Sequence, residues 1–199
     1  MLVMGLVIAL VALAYLSGSL SSAVLVCRLL HQGDPREVGS RNPGATNVLR
    51  HFGRGAAALT LAGDVLKGYA PVLLGAWLGL DQSVLTLIGA AAFLGHLYPV
   101  FFGFRGGKGV ATYIGALFGI DWAIGLTFVA VWVVMAALFR YSSLSGLVAA
   151  AASPFAAAVL GMPPAGIAGV SAMVVLLVWR HRDNIRNLLA GRESKLGTH

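Results

Sequence analysis

The fold class this sequence predicts is an all-α polytopic membrane protein, and three observations predict it. First, hydrophobic residues make up 58% of the 199 and charged residues only 11%, against about 25% charged in an ordinary soluble domain. Mean hydropathy is +0.86, and so little polar surface cannot cover a water-soluble globule. Second, the apolar residues come in long runs divided by short polar connections. Third, the basic residues are confined to a few of those connections. The 26 glycines suit the same class, because small side chains let helix backbones approach closely in lipid.

The runs follow in order. Residues 2–26 carry no charge and lack the basic leading region of a secretory signal peptide, so they predict a retained first helix. Residues 56–80 form a second run, interrupted by Asp64 and Lys67, and residues 83–102 a third. The fourth, 110–120, is short: a straight span needs ~20 residues. Runs five to seven cover 122–139, 144–160 and 163–179. Charge decides how run four is read. Of 14 Lys and Arg residues, one group lies between Arg28 and Arg54, a second is Arg105 with Lys108, Arg140 stands alone, and the rest fall between Arg180 and Lys195. Only Lys67 lies inside a run, and the connections at 79–83, 119–121 and 161–164 hold no basic residue. If runs four and five cross separately, every basic connection falls on one face, as the positive-inside rule requires. A single helix over 110–139 would be about 45 Å long and would put Arg140 and the basic tail on the wrong side. The prediction is therefore seven transmembrane helices. The fourth is short, and is tilted, distorted or sunk behind its neighbours. The N-terminus lies outside and the C-terminus in the cytoplasm. One membrane-embedded domain covers 1–199, with a long first cytoplasmic loop and a short basic tail.

The net charge of +7 points in this context to cytoplasmic loops and anionic headgroups. It does not point to nucleic acid, because the basic residues lie in short pieces between apolar runs. A single cysteine, Cys27, excludes an intrachain disulfide and a Cys-based zinc cluster, and its expected role is packing near a helix end. The five histidines are scattered and acids are few, so no metal or cofactor is expected.

The dense polar constellations all fall on the predicted cytoplasmic side. In GSRNPGATNVLR, 39–50, Ser40, Asn42, Thr46 and Asn47 offer hydrogen bonds, and Arg41 and Arg50 offer charge. Gly39, Pro43 and Gly44 impose a tight turn of the kind that forms an anion nest. The stretch is either a polar loop that caps the following helix or a phosphate or carboxylate site, to which two arginines tilt it. In GFRGGKGV, 103–110, Gly106, Gly107 and Gly109 bare the backbone around Lys108. That lysine opens run four, so the positive end of a helix points at the same spot. It is not a P-loop, because Phe102 and Gly109 stand where that motif needs a glycine and a Ser or Thr. A phosphate grip is the stronger reading, against a basic loop that only sets topology; Thr112, one turn on, could add a hydroxyl. RYSSLSG, 140–146, carries Arg140, Ser142 and Ser143, and alone reads as a helix cap with a snorkelling arginine. HRDNIRNLLAGRE, 181–193, puts His181 and Asn184 on one helix face, and alone reads as a solvated amphipathic tail. Asp64 and Lys67 share a face inside an apolar run, where charge is costly; either they pair with each other or one meets a substrate. His96 reads as a packing histidine in preference to a pocket residue.

Together these motifs resemble the bacterial integral-membrane acyl-phosphate:glycerol-3-phosphate acyltransferases. GSRNPGATNVLR, DVLKG at 64–68, GHLYPVFFGFRGGKGVAT at 95–112, RYSSLSG and HRDNI match that family's pattern in order, over nearly the whole chain. Arg41 is the departure, where a smaller residue is common. The resemblance implies transfer of a fatty acyl group from acyl phosphate to the 1-hydroxyl of glycerol 3-phosphate. The products are lysophosphatidic acid and inorganic phosphate, in an initial step of phospholipid synthesis. It implies a multi-pass protein of the bacterial cytoplasmic (inner) membrane with its site facing the cytoplasm, and a functional link to the enzyme that makes acyl phosphate. The family lacks the H-x-x-x-x-D motif of other glycerophosphate acyltransferases, and so does this chain.

Residue roles follow from the resemblance. Lys108 and Arg50 hold phosphate. Ser40, Asn42, Thr46, Asn47 and Lys67 belong to the substrate-binding set, as do Gly106, Gly107, Gly109, Thr112 and Arg140. Ser142 or Ser143, with the glycine amides, stabilises the oxyanion. His181 is the candidate general base, and Asn184 orients it or binds substrate. In the alternative, the donor's own phosphate takes the proton, and positioning supplies much of the barrier reduction. A transporter of a small phosphorylated solute is the rival reading, since short glycine-broken helices suit one. Against it, the polar motifs crowd one face instead of meeting at midplane. A scaffold that binds anionic lipid would need only charge, not the accompanying Asn, Ser and Gly.

Overall fold

The computed structural model describes residues 2–197, and among them every regular element is helical. Run one becomes two helices, α1 (Leu2–Gly18) and α2 (Ser22–Leu29), bent by 47° at the serine-rich break between them. The first loop leads into a short helix, α3 (Ala45–Phe52), and runs two and three become α4 (Arg54–Trp77) and α5 (Gln82–Leu97). A 3-10 turn, Val100–Phe102, closes α5. Then come α6 (Val110–Ile120), α7 (Trp122–Phe139), α8 (Ser142–Val159) and α9 (Pro164–Arg180), and α10 (Arg182–Leu189) departs from α9 at 59°. Among the described residues four helices are long and apolar enough to cross a membrane, or up to six if each bent pair counts as one span. The predicted fourth run is α6, whose 11 residues extend about 17 Å, well short of a bilayer core of about 30 Å.

Two helix starts away from the polar motifs are capped by acids. Asp81 caps α5 by accepting from the amides of Ser83 (2.9 Å) and Val84 (3.2 Å). Asp121 caps α7 by accepting from those of Ala123 (2.8 Å) and Ile124 (3.4 Å). Each satisfies amides that have no partner within the helix. The glycines act where helices cross. A Cβ on Gly18 would strike the Ala92 backbone and one on Gly95 the Tyr15 carbonyl, locking α1 against α5. Gly68 and Gly115 do the same between α4 and α6. Small residues thus permit the backbone contact that drives helix packing in lipid.

The short α6 is held by its core face. Tyr113 is fully buried between the rings of Phe93 (centroids 5.9 Å apart) and Phe128 (5.7 Å), both edge-on. Its hydroxyl meets that of Ser153 in α8 at 2.5 Å. This sinks α6 behind its neighbours and fixes where its N-terminus points. Cys27 packs in a small cluster with Ala23, Val48, Ala56 and Ala57, which seats α3 on α2 and α4.

The break in the first span is satisfied by the charges of α4. Leaving the helical path frees the Leu20 carbonyl, and Lys67 Nζ donates to it at 2.7 Å. The same nitrogen lies 2.8 Å from Asp64 Oδ1, off the line of a hydrogen bond. His96 Nδ1 lies 3.6 Å from that oxygen. Asp64 and Lys67 therefore pair with each other, one of the two readings their spacing left open, while Asp64 also borders a cavity.

Candidate active site

Four polar segments converge at one end of the bundle around a cavity of about 540 Å³. Ser40, Asn42, Thr46 and Arg50 line it from the first loop and α3. Lys108 and Gly109 line it from the glycine-rich loop, Ser142 and Ser143 from the start of α8, and His181 and Asn184 from the α9–α10 bend. Its other wall is apolar: Leu61 and Val65 of α4, Ile114 of α6, and Val129, Trp132 and Val133 of α7. Leu61 and Val133 are 46% and 54% exposed, so this wall continues onto the outer face of the bundle.

The glycine-rich loop is tied down at both sides. The Gly107 amide donates to the His96 carbonyl at 3.2 Å, and Arg180 donates to the carbonyls of Gly106 (2.8 Å) and Gly107 (2.9 Å). Gly109 takes φ 88° as the N-cap of α6, and a Cβ there would run into the Phe93 ring. A glycine is thus required on two counts, and it sets Lys108 immediately before the N-cap of α6. Lysine, free amides and the positive helix end then face one space, which suits an anion.

Lys108 Nζ donates to Asn184 Oδ1, while Asn184 Nδ2 donates to Glu193 Oε1 at 2.7 Å. Ser143 Oγ donates to that same carboxylate oxygen at 2.5 Å. Burial lowers the Lys108 ammonium below the usual lysine range, against the opposing charges of Glu193 and Asp183. His181 is 3% exposed, and its Nδ1 lies 2.8 Å from the Leu177 carbonyl. A carbonyl only accepts, so Nδ1 carries the proton and Nε2 is left as an acceptor. Burial, reinforced by the Lys108 charge, pushes His181 down to about 4. Thr46 and Ser142 hydroxyls lie 3.3 Å apart, joining α3 to α8.

Not every residue of the expected set is brought to this cavity. Lys67 is engaged with Asp64 and Leu20, as described above. Gly106 and Gly107 present carbonyls to Arg180, and the Gly107 amide is already used. Thr112 is fully buried against α4 with its hydroxyl unpartnered. Arg140 donates to the Leu196 carbonyl at 3.0 Å and clamps the tail. Asn47 borders the cavity, but its amide holds the first loop: Nδ2 donates to the Pro35 (2.9 Å) and Val38 (3.2 Å) carbonyls and Oδ1 accepts from the Ser40 amide (3.2 Å). Conversely, Asp64 and His96 do reach the cavity wall. The stretch 181–193, which alone reads as a solvated amphipathic tail, is built into the site instead: after α10 the chain folds back so that Arg192, Glu193 and Ser194 line the cavity with His181 and Asn184. Arg50 Nη2 donates to the Ser194 carbonyl at 3.2 Å, and Glu193 sits among the polar groups. The signal for Glu193 was present: it is the sole acid after Asp183, set between Arg192 and Lys195. Among the described residues no group of three His, Cys, Asp or Glu could hold a metal ion.

Fold and site define a class: an integral membrane protein whose anion-suited cavity shares a wall with its apolar outer surface. Comparison with known proteins narrows the class. A family model described as glycerol-3-phosphate acyltransferase matches residues 8–191. A glycerol-3-phosphate acyltransferase of Thioalkalivibrio sulfidiphilus is 52% identical over 95% of this chain and 93% of its own length. One from Methylococcus capsulatus is 51% identical over 94% and 95%. The crystal structure of PlsY, an integral membrane glycerol 3-phosphate acyltransferase, in its glycerol 3-phosphate form superposes with a TM-score of 0.92, at 40% identity and 96% coverage of both chains. Its lysophosphatidic acid form gives 0.89 at 39% identity, with 96% of both chains covered. The chain belongs to the glycerol-3-phosphate acyltransferase family.

Proposed function

We propose that the 540 Å³ cavity is the acyl-transfer site. The chain is an enzyme of the bacterial inner membrane that moves a fatty acyl group from acyl phosphate to the 1-hydroxyl of glycerol 3-phosphate, yielding lysophosphatidic acid and inorganic phosphate. The observation that carries the site assignment is the two-sided lining. Lys108, Arg50 and the α6 N-terminus suit phosphate, and the apolar wall of α4, α6 and α7 suits an acyl chain entering from lipid. Chain topology follows the same logic: seven crossings with α6 as the short one, the N-terminus outside, and the site and tail in the cytoplasm. Residues 1–199 then form one membrane-embedded domain, functionally linked to the enzyme that makes acyl phosphate.

In the reaction the glycerol 1-oxygen bonds to the acyl carbon, the acyl carbon–phosphate oxygen bond breaks, and phosphate leaves. Acyl phosphate is already activated, so positioning supplies much of the rate. Ser142, at the start of α8, can turn its hydroxyl to donate to the tetrahedral oxyanion. The single Ser143 proton is given to Glu193, so Ser143 serves the oxyanion only if it leaves that carboxylate. A histidine near 4 is a weak base at neutral pH. His181 Nε2 therefore accepts a hydrogen bond from the attacking hydroxyl and orients it, and the donor's phosphate takes the proton. Asn184 and Glu193 hold Lys108 and Ser143 in register.

The deciding assay incubates purified protein with acyl phosphate and radiolabelled glycerol 3-phosphate. Labelled lysophosphatidic acid is expected from the parent. Lys108→Ala, which removes a charge-assisted contact of roughly 1.5–3 kcal/mol, should lower kcat/KM by about 10- to 150-fold. No labelled product from well-folded parent would overturn the reading.

A further inference from the structure

A second cavity, of about 510 Å³, opens between the first loop and the glycine-rich loop. Four guanidinium groups line it, those of Arg36, Arg41, Arg105 and Arg180, against the carboxylates of Asp34 and Glu37. Two of the four are already engaged. Arg36 is paired with Asp34 at 2.6 Å, and Arg180 holds the Gly106 and Gly107 carbonyls while lying over the Tyr98 ring. Arg41 and Arg105 are exposed and have no side-chain partner among the described residues.

The backbone adds an independent observation. Among the described residues, Arg41 (φ 56°) and Phe104 (φ 59°) are two of four non-glycine residues in the left-handed region, and both stand in the wall of this one cavity. That conformation favours glycine, so the chain holds a guanidinium and a phenyl ring where neither is the easy choice. Outliers of this kind point to function. Phe104 is 58% exposed and Phe101, in the turn that closes α5, is 56% exposed. The cavity mouth therefore lies beside exposed aromatic rings at the end of an apolar span, the level at which aromatic residues meet headgroups.

We propose that this cavity is a second anion site, separate from the acyl-transfer site, that takes a phosphate group between Arg41 and Arg105 with Phe104 as its apolar side. The phosphate comes from an anionic lipid headgroup or from solution. Paired guanidinium groups suit phosphate oxygens. The site also adjoins the machinery described above: Gly106 lines it, and Arg180, in its wall, fastens the loop that carries Lys108. The inference does not rest on acyl transfer, since binding is read without turnover.

The test uses full-length detergent-solubilised protein with Lys108→Ala, which weakens the first phosphate grip. Binding of dioctanoyl phosphatidylglycerol and of inorganic phosphate is titrated separately. The comparison variant adds Arg41→Gly and Arg105→Gln. Arg41→Gly places glycine in a backbone that favours it, so an undiminished Tm verifies folding. Loss of the Arg41 and Arg105 contacts should weaken phosphatidylglycerol binding at least about tenfold. If inorganic phosphate alone shows that loss, the site takes phosphate from solution. Equal affinity in both proteins, or no binding by either probe to the Arg41/Arg105-intact protein, overturns the proposal. So does an equal loss when Arg186→Gln removes an exposed charge outside the cavity.

Discussion

His181 is held neutral by its surroundings. With an ordinary value of 6.5 lowered to about 4, it keeps Nε2 free of a proton throughout the neutral range. Once the titration of the substrates' own phosphates, at about pH 6, is accounted for, the enzyme's share of the acid limb of kcat/KM should therefore fall nearer pH 4 than 6.5. The linked stability has a definite sign. The unfolded chain takes up a proton at higher pH than the folded one, so this contribution is complete above about 6.5 and is lost as pH falls toward 4. Thermal unfolding in detergent, against His181→Gln, should show that slope in the parent only. If His181 orients the hydroxyl without taking its proton, His181→Ala should cost kcat/KM less than about 100-fold, below the usual range for a lost general base. A loss of several thousandfold would restore the base role.

Glu193 is the second residue whose role depends on its neighbours. One of its oxygens accepts from both Ser143 and Asn184. Glu193→Ala leaves two partly buried donors without a partner, at about 1–3 kcal/mol each, so kcat should fall about tenfold or more through misplacement of Lys108 and Ser143. Glu193→Gln keeps an acceptor oxygen and should recover much of the loss. If Glu193→Gln is as damaged as Glu193→Ala, it is the charge and not the hydrogen bond that matters.

The elements are joined by contacts that reach far along the chain. The bend between α1 and α2 exposes a carbonyl that Lys67 of α4 satisfies, and Lys67 also neutralises Asp64. Lys67→Met would strand a buried carboxylate and a carbonyl together. Breaking a buried pair at one partner costs about 3–5 kcal/mol, so a large fall in Tm is expected, with partial recovery when Asp64→Asn is added. An unchanged Tm for Lys67→Met would mean the pair does not support the bend. The short α6 depends on similar distant support: Gly68 and Gly115 bring α4 against it, and Tyr113 pins it between Phe93 and Phe128.

The whole molecule separates two faces, one capped by Asp81 and Asp121 and one that carries both cavities. With seven crossings, Ala165→Cys should react with a membrane-impermeant maleimide on intact spheroplasts, and Lys195→Cys only after permeabilisation. Both positions are exposed, and the native Cys27 is buried. Labelling of both from one side would remove the seven-crossing topology.

Much of this was legible in the residues. The runs at 110–120 and 122–139 coincide with α6 and α7, because the polar breaks around them are short and hydropathy directly reports which segments tolerate lipid. The polar motifs pointed to an anion such as phosphate for a similar reason, since glycine, lysine and arginine at that spacing suit phosphate in many settings; the two substrates themselves came from the family resemblance. Pairing was not legible. Nothing local in positions 19–21 says that a lysine 47 residues on will complete the bend. A sole acid after Asp183 marks Glu193 out in the sequence, but nothing local says that it will turn back to accept from Ser143 and Asn184. Local composition decides where a segment sits, in lipid or in water. Which polar atoms meet depends on helices packing in three dimensions, and only the tertiary structure supplies that.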